Sequence, residues 1–422
     1  MPKLPIVQAL KELEGNPRLC IITEPLWVIP YNLYTPFVSV YMAALFLSDR
    51  QIGLVASVFM LFRAIASFFG GAITDKLGRK LTTFIFDMLS WSVPCLLWAF
   101  SQNFWWFVVA ASFNGLMQIT DNSWTCLLVE DIKKGTMVKV YSLLHMIGQL
   151  AVIFAPLAVL LVNRLTIVPA MRILYFITFI SMTVKFVILY IYCDETEVGK
   201  TRMRETQGMS LWKIMSGYGE IFRKIFSSQA MVLALLLTTI INIIAMITGS
   251  FFGLYVTGTL LIPKQFLAYF PILRSLVIAF FLIVIQPKLE RFGFRYPMLA
   301  GLLVYLISVF ILIFTPVKSV YILVLSVFLD AVAFSLVMPR NDSLTQLLID
   351  PVERARIRGL MMVVVLGFTI PFGYIAGWLS DIDRRLPFIL CTGFFVILMA
   401  IIAVNKNRLD AIKKEQEIQS LG

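Results

Sequence analysis

The feature that most constrains this chain is the recurrence of long apolar runs, each of about 20 residues or more, the length a helix needs to cross the hydrocarbon core of a bilayer. Such runs fall at 22–47, 52–73, 81–101, 105–129, 139–163, 169–193, 229–257, 265–287, 296–315, 319–339, 358–380 and 386–405. A soluble core cannot take up that many continuous segments, and 59% of the 422 residues are hydrophobic against 14% charged. Membrane β-strands show short alternating segments instead of unbroken runs. The expectation is an all-α integral membrane protein with twelve transmembrane helices, here called spans 1 to 12.

The formal net charge of +12 invites a nucleic-acid reading, but the 36 Lys and Arg residues concentrate on the N-terminus, the even-numbered loops and the C-terminus. That asymmetry is a topology signal and places both termini in the cytoplasm of a multi-pass cell-membrane protein. Its secondary effect is attraction to anionic membrane lipids, so no nucleic-acid partner is expected. The first residues carry Lys3, Lys11, Glu12, Glu14 and Arg18 with no cleavage pattern, so span 1 is expected to serve as the targeting signal. Cys20, Cys95, Cys126, Cys193 and Cys391 share no outside loop, which argues against disulfides. The single histidine, His145, has no ligand-spaced companion, so no metal and no cofactor are expected. No phosphate-binding loop or Ser/His/Asp arrangement appears, which argues against an enzyme and leaves ion gradients as the energy source.

The longest polar interruption, 194–228, divides the spans six and six, into an N-terminal bundle at 1–193 and a C-terminal bundle with its tail at 229–422. Within it Leu211, Ile214 or Met215, Tyr218, Ile221 or Phe222, and Ile225 recur at helical spacing with Lys213, Arg223 and Lys224 off that stripe, as in a helix lying on a membrane surface. The two halves also echo each other. DNSWTCLLVED, from Asp121, is matched by NDSLTQLLIDP, from Asn341, with the polar pair in swapped order: Asp121-Asn122 against Asn341-Asp342. Both copies lie toward the cytoplasmic end of the fourth helix of their half. Two parallel repeats of six helices, related by a pseudo-two-fold axis, are a transporter architecture.

The loop after span 2 reads GAITDKLGRK and the loop after span 8 reads QPKLERFGFR, so Asp75, Lys76, Gly78 and Lys80 align with Glu290, Arg291, Gly293 and Arg295. With Gly71 and Arg79 the first loop fills every slot of the G-x-x-x-D-R/K-x-G-R/K-R/K signature, and in this the chain resembles the major facilitator superfamily. The resemblance covers the whole chain and implies that this loop is a conformational latch, in which Asp75 pairs with Arg79. Gly70 and Gly71 suit close helix approach, and Gly373 to Gly377 offers a small-residue face on span 11.

The resemblance further implies that spans 1, 4, 7 and 10 line a central cavity. Span 4 carries Asn114, Gln118, Asp121 and Thr125 at helical spacing, a stripe that cannot comfortably face lipid. With Asn122 and the second copy Asn341 and Asp342, these are candidate substrate ligands, joined by Tyr31 and Asn32 on span 1 and Asn242 on span 7. Arg63 on span 2 and Arg274 on span 8 occupy equivalent helices, and two guanidinium forks would clamp an anion. The arrangement is similar to that of the superfamily's nitrate/nitrite transporters, whose glycine-rich signatures in spans 5 and 11 are missing here. The competing reading pairs Arg63 and Arg274 with Asp121, Asp342 or Asp330 to hold helices together. Lys185 is expected to snorkel toward the cytoplasm, and Asp87 to have a structural partner.

Asp121, Asp342, Asp330 and Glu24 are the candidate proton-coupling carboxylates. The reading that follows is a proton-coupled secondary transporter, a monomer working by alternating access, for a small organic solute; the arginine pair favours an anion or zwitterion. Proton-coupled multidrug efflux through Asp121 and Asp342 is the alternative, with Gly148, Ala151, Ala155 and Pro156 a weak likeness to the exporters' span 5 motif and no arginine motif in span 4. A non-transporting receptor or lipid translocase on the same scaffold is the alternative of another class.

Overall fold

A computed structural model describes residues 13–132, 137–289, 293–348 and 354–406, and among them there are helices and turns but no strand. The all-α expectation is borne out. Among the described residues nine helices are long and apolar enough to cross a membrane, among them Asp49–Leu77 (span 2), Ile167–Tyr192 (span 6), Arg295–Ile313 (span 9) and Leu386–Val404 (span 12). The other three expected crossings, spans 1, 4 and 8, are built from shorter pieces.

The interruptions fall at defined places. Span 1 is Gly15–Thr23 followed by Pro25–Tyr34, a 3-10 turn at Thr35–Phe37 and Val38–Ala44, with Pro25 and Pro36 opening new segments because proline lacks the N–H the helix needs. Span 4 is Phe104–Gly115 and Met117–Val129, parted at Leu116. Span 8 runs through a 3-10 turn at Lys264–Ala268, Tyr269–Phe280, a π-turn at Phe281–Ile285 and Gln286–Leu289. Span 3 contains a π-turn at Met88–Ser92 between Arg79–Asp87 and Val93–Ala99. Span 10 runs as one helix from Val320 to Leu347, beyond its expected end, which brings Arg340 to Asp342 inside it.

By packing, the described residues divide into two compact units, one within Met1–Tyr41 and Val58–Ile221, the other within Met42–Ser57 and Phe222–Gly422. The division falls inside the expected linker, in the helix Tyr218–Ser227, and counts the start of span 2 with the second unit. In the first unit, Trp91, Cys95, Met182 and Phe186 form a buried cluster flanked by Trp27, Tyr31 and Met117, so spans 1, 3, 4 and 6 share one core. A second cluster of Cys20, Ile21, Leu127, Leu128, Val140, Leu143 and Leu189 unites spans 1, 4, 5 and 6.

In the second unit, the Ser308 and Ser326 hydroxyls each donate to the other's backbone carbonyl, at 2.9 and 3.0 Å, locking span 9 to span 10 without an unpaired polar group. One close approach of backbone to backbone is one the sequence did not single out. A Cβ on Gly53 would strike the carbonyl oxygen of Gly373 and come within 2.8 Å of Gly377 Cα, so the small-residue face of span 11 meets the start of span 2. Gly70 is looser, its Cβ position lying 3.4 Å from Ile119 Cα.

The linker's amphipathic pattern appears as two short helices, Leu211–Ile214 and Tyr218–Ser227, in place of one. Met215, Ile221 and Ile225 are buried while Lys213, Arg223 and Lys224 are exposed. Trp212 is exposed beside Phe69, ring centroids 6.0 Å apart.

Candidate functional site

In the first unit the site begins at a glycine. A Cβ on Gly115 would lie 2.5 Å from Phe62 Cβ and 2.9 Å from both Arg63 N and Phe59 O, so span 4 breaks where its backbone rests on that of span 2. The contact sets the next helical segment beside Arg63. Arg63 Nη2 donates to Gln118 Oε1 at 2.9 Å, its guanidinium carbon lies 5.5 Å from the Phe59 ring centroid, and Asp121 acts on it through charge. Arg63 Nε is buried with no hydrogen-bond partner among the described residues. Tyr31, stacked on Trp27 at 5.0 Å, feels the charges of both Arg63 and Asp121. The group thus offers a guanidinium with donors to spare, a carboxylate and an aromatic wall.

The expected stripe on span 4 is shorter than its spacing suggests. Asn114 precedes the break at Leu116, is buried, and donates its amide to the carbonyl of Ser90 at 2.7 Å, where the π-turn of span 3 frees a backbone acceptor. It fastens two helices, while Gln118, Asp121 and Thr125 share the segment beyond the break. Asn122 turns toward span 2 and Thr74, at 3.4 Å, and Asp121 is exposed. The second copy shows the same division by residue type. Asn341 is buried and exchanges bonds with the Thr238 hydroxyl at 3.2 and 3.4 Å, whereas Asp342 is exposed and feels Arg358. The swapped order of the pair therefore keeps asparagine on the packed side and aspartate on the open side in both halves.

Lys185 does not snorkel. It is 4% exposed and donates to Glu24 at 2.7 Å, with its ammonium 5.7 Å from the Trp27 ring centroid and 5.2 Å from that of Trp124. Aromatic faces replace the water such a cation loses. Glu24, a coupling candidate from the sequence, is therefore occupied by an ion pair. Asp87 is buried and accepts from the Thr120 hydroxyl at 2.7 Å, the structural partner the sequence reading expected.

In the second unit Arg274 Nε lies 3.1 Å from Asp330 Oδ2, and its guanidinium carbon 4.6 Å from the Phe334 ring centroid. The Nε–H is not directed at a hydrogen-bond acceptor, so the pair is held by charge and stacking. Asn32 and Asn242 each return their amide to their own helix, to Val28 O at 2.7 Å and Thr238 O at 2.9 Å. Arg340, one residue past the expected end of span 10, is buried and donates to Gln286 Oε1 and Leu336 O at 3.1 and 3.0 Å. A basic residue directly before Asn341-Asp342 was the available signal for it.

The loop motif is assembled as its residues suggest and extended by two carboxylates the motif does not contain. Arg79 donates to Asp75 at 3.1 Å and reaches Glu130, at the end of span 4, at 3.0 Å through Nε. Glu195 receives the backbone N–H groups of Arg79 and Lys80 at 2.9 and 3.0 Å, capping the helix that opens span 3. Gly78, at φ +85°, lets the chain turn under Glu195. Gly71 faces the Tyr218 hydroxyl, and Lys76 is exposed. Of the second copy, Gly293 has φ +66° and Arg295 stacks on Tyr296 at 5.2 Å, while Glu290 and Arg291 lie outside the described residues.

Residues 28–367 match the family model of the Major Facilitator Superfamily. Among curated relatives, the chain is 34% identical over 92 residues to a multidrug resistance protein MdtG of Rahnella, which is 21% of this chain and 22% of that protein. It is 28% identical over 127 residues to the uncharacterized transporter YqjV of Bacillus subtilis, 30% of this chain and 31% of that one. The chain thus matches under a third of the length of these relatives. In fold it is similar to the nucleoside transporter NupG, with TM-score 0.71 and 16% identity over 93% of this chain and 99% of that one. It is also similar to a peptide transporter POT in complex with sulfate, with TM-score 0.72 and 13% identity over 97% and 99%. The human organic anion transporter MFSD10 gives 0.64 and 12% over 95% and 100%. At these identities the likeness is one of fold.

Proposed function

The chain belongs to the Major Facilitator Superfamily, and from that premise we propose that this multi-pass membrane transporter carries a small zwitterionic or anionic organic solute by alternating access, coupled to protons. The observation that carries the reading is Arg63: a guanidinium held at one nitrogen by Gln118, with Nε unpaired, beside the Asp121 charge. A buried fork with spare donors suits a carboxylate, and an adjacent carboxylate suits an ammonium. Arg63, Gln118, Asp121 and Tyr31 are assigned to the substrate, with Arg274, Asn242, Asn341 and Asp342 as their second-half counterparts. Asp330 holds Arg274 in reserve for an incoming anion. The latch around Arg79 is assigned to the cytoplasmic face, with both termini on that side of the cell membrane, as the basic loops indicate.

The test is purified protein in liposomes under an imposed pH gradient, offered L-alanyl-L-alanine, benzoate and ethidium. Dipeptide or benzoate uptake is expected to fall roughly 10- to 100-fold in Arg63→Gln, since charge-assisted hydrogen bonds are worth about 1.5–3 kcal/mol. A second reading, export of cationic drugs through Asp121 and Asp342, is favoured by the similarity to proteins named for multidrug resistance. It predicts the reverse charge selectivity: ethidium flux that survives Arg63→Gln and is lost in Asp121→Asn would overturn the first reading.

A further inference from the structure

We propose that Asp87 is a proton-binding site inside the first unit, loaded from the loop end of span 3 and read by Asp121 on span 4. The inference rests on the proton-coupled reading above and names a residue that holds the proton away from the substrate ligands.

Charge balance is the first argument. Asp87, Glu24 and Lys185 form a buried set on spans 3, 1 and 6, with Asp87 and Lys185 at 5% and 4% exposure. Lys185 gives its hydrogen bond to Glu24 at 2.7 Å. Asp87 forms no ion pair among the described residues and keeps only the Thr120 hydroxyl, at 2.7 Å. The groups whose charges reach it are Lys185, Glu24 and, from span 4, Asp121. Two carboxylates therefore share one ammonium, and an unpaired buried charge is costly enough that a group neutralises instead. A proton taken from water at the loop end converts the Asp87 carboxylate to the acid and brings the set from one net negative charge to none. Glu24, already neutralised by Lys185, has no such need.

A route is the second argument. Lys80, Thr83 and Asp87 follow at spacings of three and four along one face of span 3 and line a crevice with Phe186, Leu189 and Tyr190. It leaves no room for a water-sized sphere in this conformation. Hydroxyls flank it: Thr83 and Ser123 are bonded at 2.8 Å, and one helical turn away Thr120 donates to Asp87 at 2.7 Å. All three hydroxyl residues are buried between spans 3 and 4.

Readout follows from the chain itself, since Thr120 and Asp121 are consecutive residues of the segment Met117–Val129. With Asp87 ionised, Thr120 donates to a charged acceptor and Asp121 sits near a like charge. With Asp87 protonated, that bond becomes a weaker neutral one, and the repulsion on Asp121 disappears. The two events change how firmly span 4 is held to span 3 and how Asp121 engages Arg63.

The experiment is infrared difference spectroscopy of the full-length protein in lipid during a pH titration, reading the carbonyl stretch of protonated carboxyl groups. A titrating band is expected that disappears in Asp87→Asn; a band unchanged in that variant overturns the proposal. If that variant does not fold, Thr120→Val is read instead: loss of the donor to the charged form is expected to shift the band's midpoint upward by about one pH unit, and an unshifted midpoint overturns it. In liposomes, pH-driven accumulation of L-alanyl-L-alanine is expected to fall ~10-fold in Asp87→Asn, within the usual range of coupling between two sites. Undiminished accumulation in the variant overturns the coupling role of Asp87. Wild-type protein that accumulates none of the three solutes in response to the gradient overturns proton coupling itself, leaving the band to judge proton binding at Asp87.

Discussion

Asp49 and Arg384 meet as a two-pronged pair in the second unit: Arg384 Nε donates to Oδ2 at 2.7 Å and Nη2 to Oδ1 at 3.0 Å, and the Ser380 hydroxyl donates to Oδ2 at 2.6 Å. Gly258 makes room, since a Cβ there would strike the Arg384 guanidinium. Asp49 opens span 2 and Arg384 lies between spans 11 and 12, so the pair joins segments the chain places far apart. Arg384→Gln is expected to cost about 2 kcal/mol, the worth of hydrogen bonds to a charged group. Thermal unfolding in detergent checks it, and Asp49→Asn combined with Arg384→Gln should cost less than the two single changes added together. The bonds to Asp49 raise Arg384 above its ordinary value. The sign follows: a raised basic group contributes fully below its unfolded value and loses that contribution only as pH climbs through the folded one, so stability from Arg384 ionisation is undiminished across the neutral range.

Gly115 should be intolerant of any side chain. An added methyl would press on Arg63 N, Phe59 O and Phe62 Cβ, and backbone cannot yield as a side-chain tip can. Gly115→Ala is expected to cost about 1–3 kcal/mol, the range for overpacking, and to weaken transport by displacing Gln118 from Arg63. Melting temperature and uptake should fall together; uptake falling in the absence of a stability change would mean that the close approach serves the site alone.

Glu195 caps the helix that opens span 3, and Gln in its place keeps the shape while removing the charge. Glu195→Gln is expected to lower stability by about 1 kcal/mol, as charge at a helix N-terminus is worth in a partly buried setting. Gly78→Ala should cost more, because it adds backbone strain at φ +85° to a contact 2.5 Å from Glu195 Oε2. Equal melting temperatures for both variants would contradict this order.

Arg274 and Asp330 are partly exposed, at 42% and 30% of their side chains, and the Nε–H of Arg274 is not aimed at an acceptor. Their coupling in a double-mutant cycle of Arg274→Gln and Asp330→Asn is expected to stay below about 1 kcal/mol for stability. Transport is a separate measurement: if Asp330 keeps Arg274 in place for substrate, Asp330→Asn should change KM more than it changes the melting temperature.

The sites were legible in the sequence to different degrees. Charged residues in apolar runs pointed to Arg63, Asp121 and Arg274, and the loop signature pointed to the contact between Asp75 and Arg79, which stands at 3.1 Å. Partners were harder to see. Lys185 was expected at the membrane edge because nothing nearby in sequence shows that Glu24, 161 residues away, and two tryptophans close around it. Asn114 was grouped with Gln118 because their spacing assumes an unbroken helix, and the break at Leu116 falls beside the close approach of Gly115 to span 2.

What the sequence determined by itself is the all-helical, membrane-spanning class of the chain and the loop signature of its family, because bilayer thickness acts on local runs of residues. What only the tertiary structure decided is which buried charge is satisfied by which: Lys185 by Glu24, Arg79 by Glu130 as well as Asp75, and Asp87 by the Thr120 hydroxyl. The physical reason is that the cost of a buried charge is set by neighbours within a few ångströms, and those neighbours come from other helices.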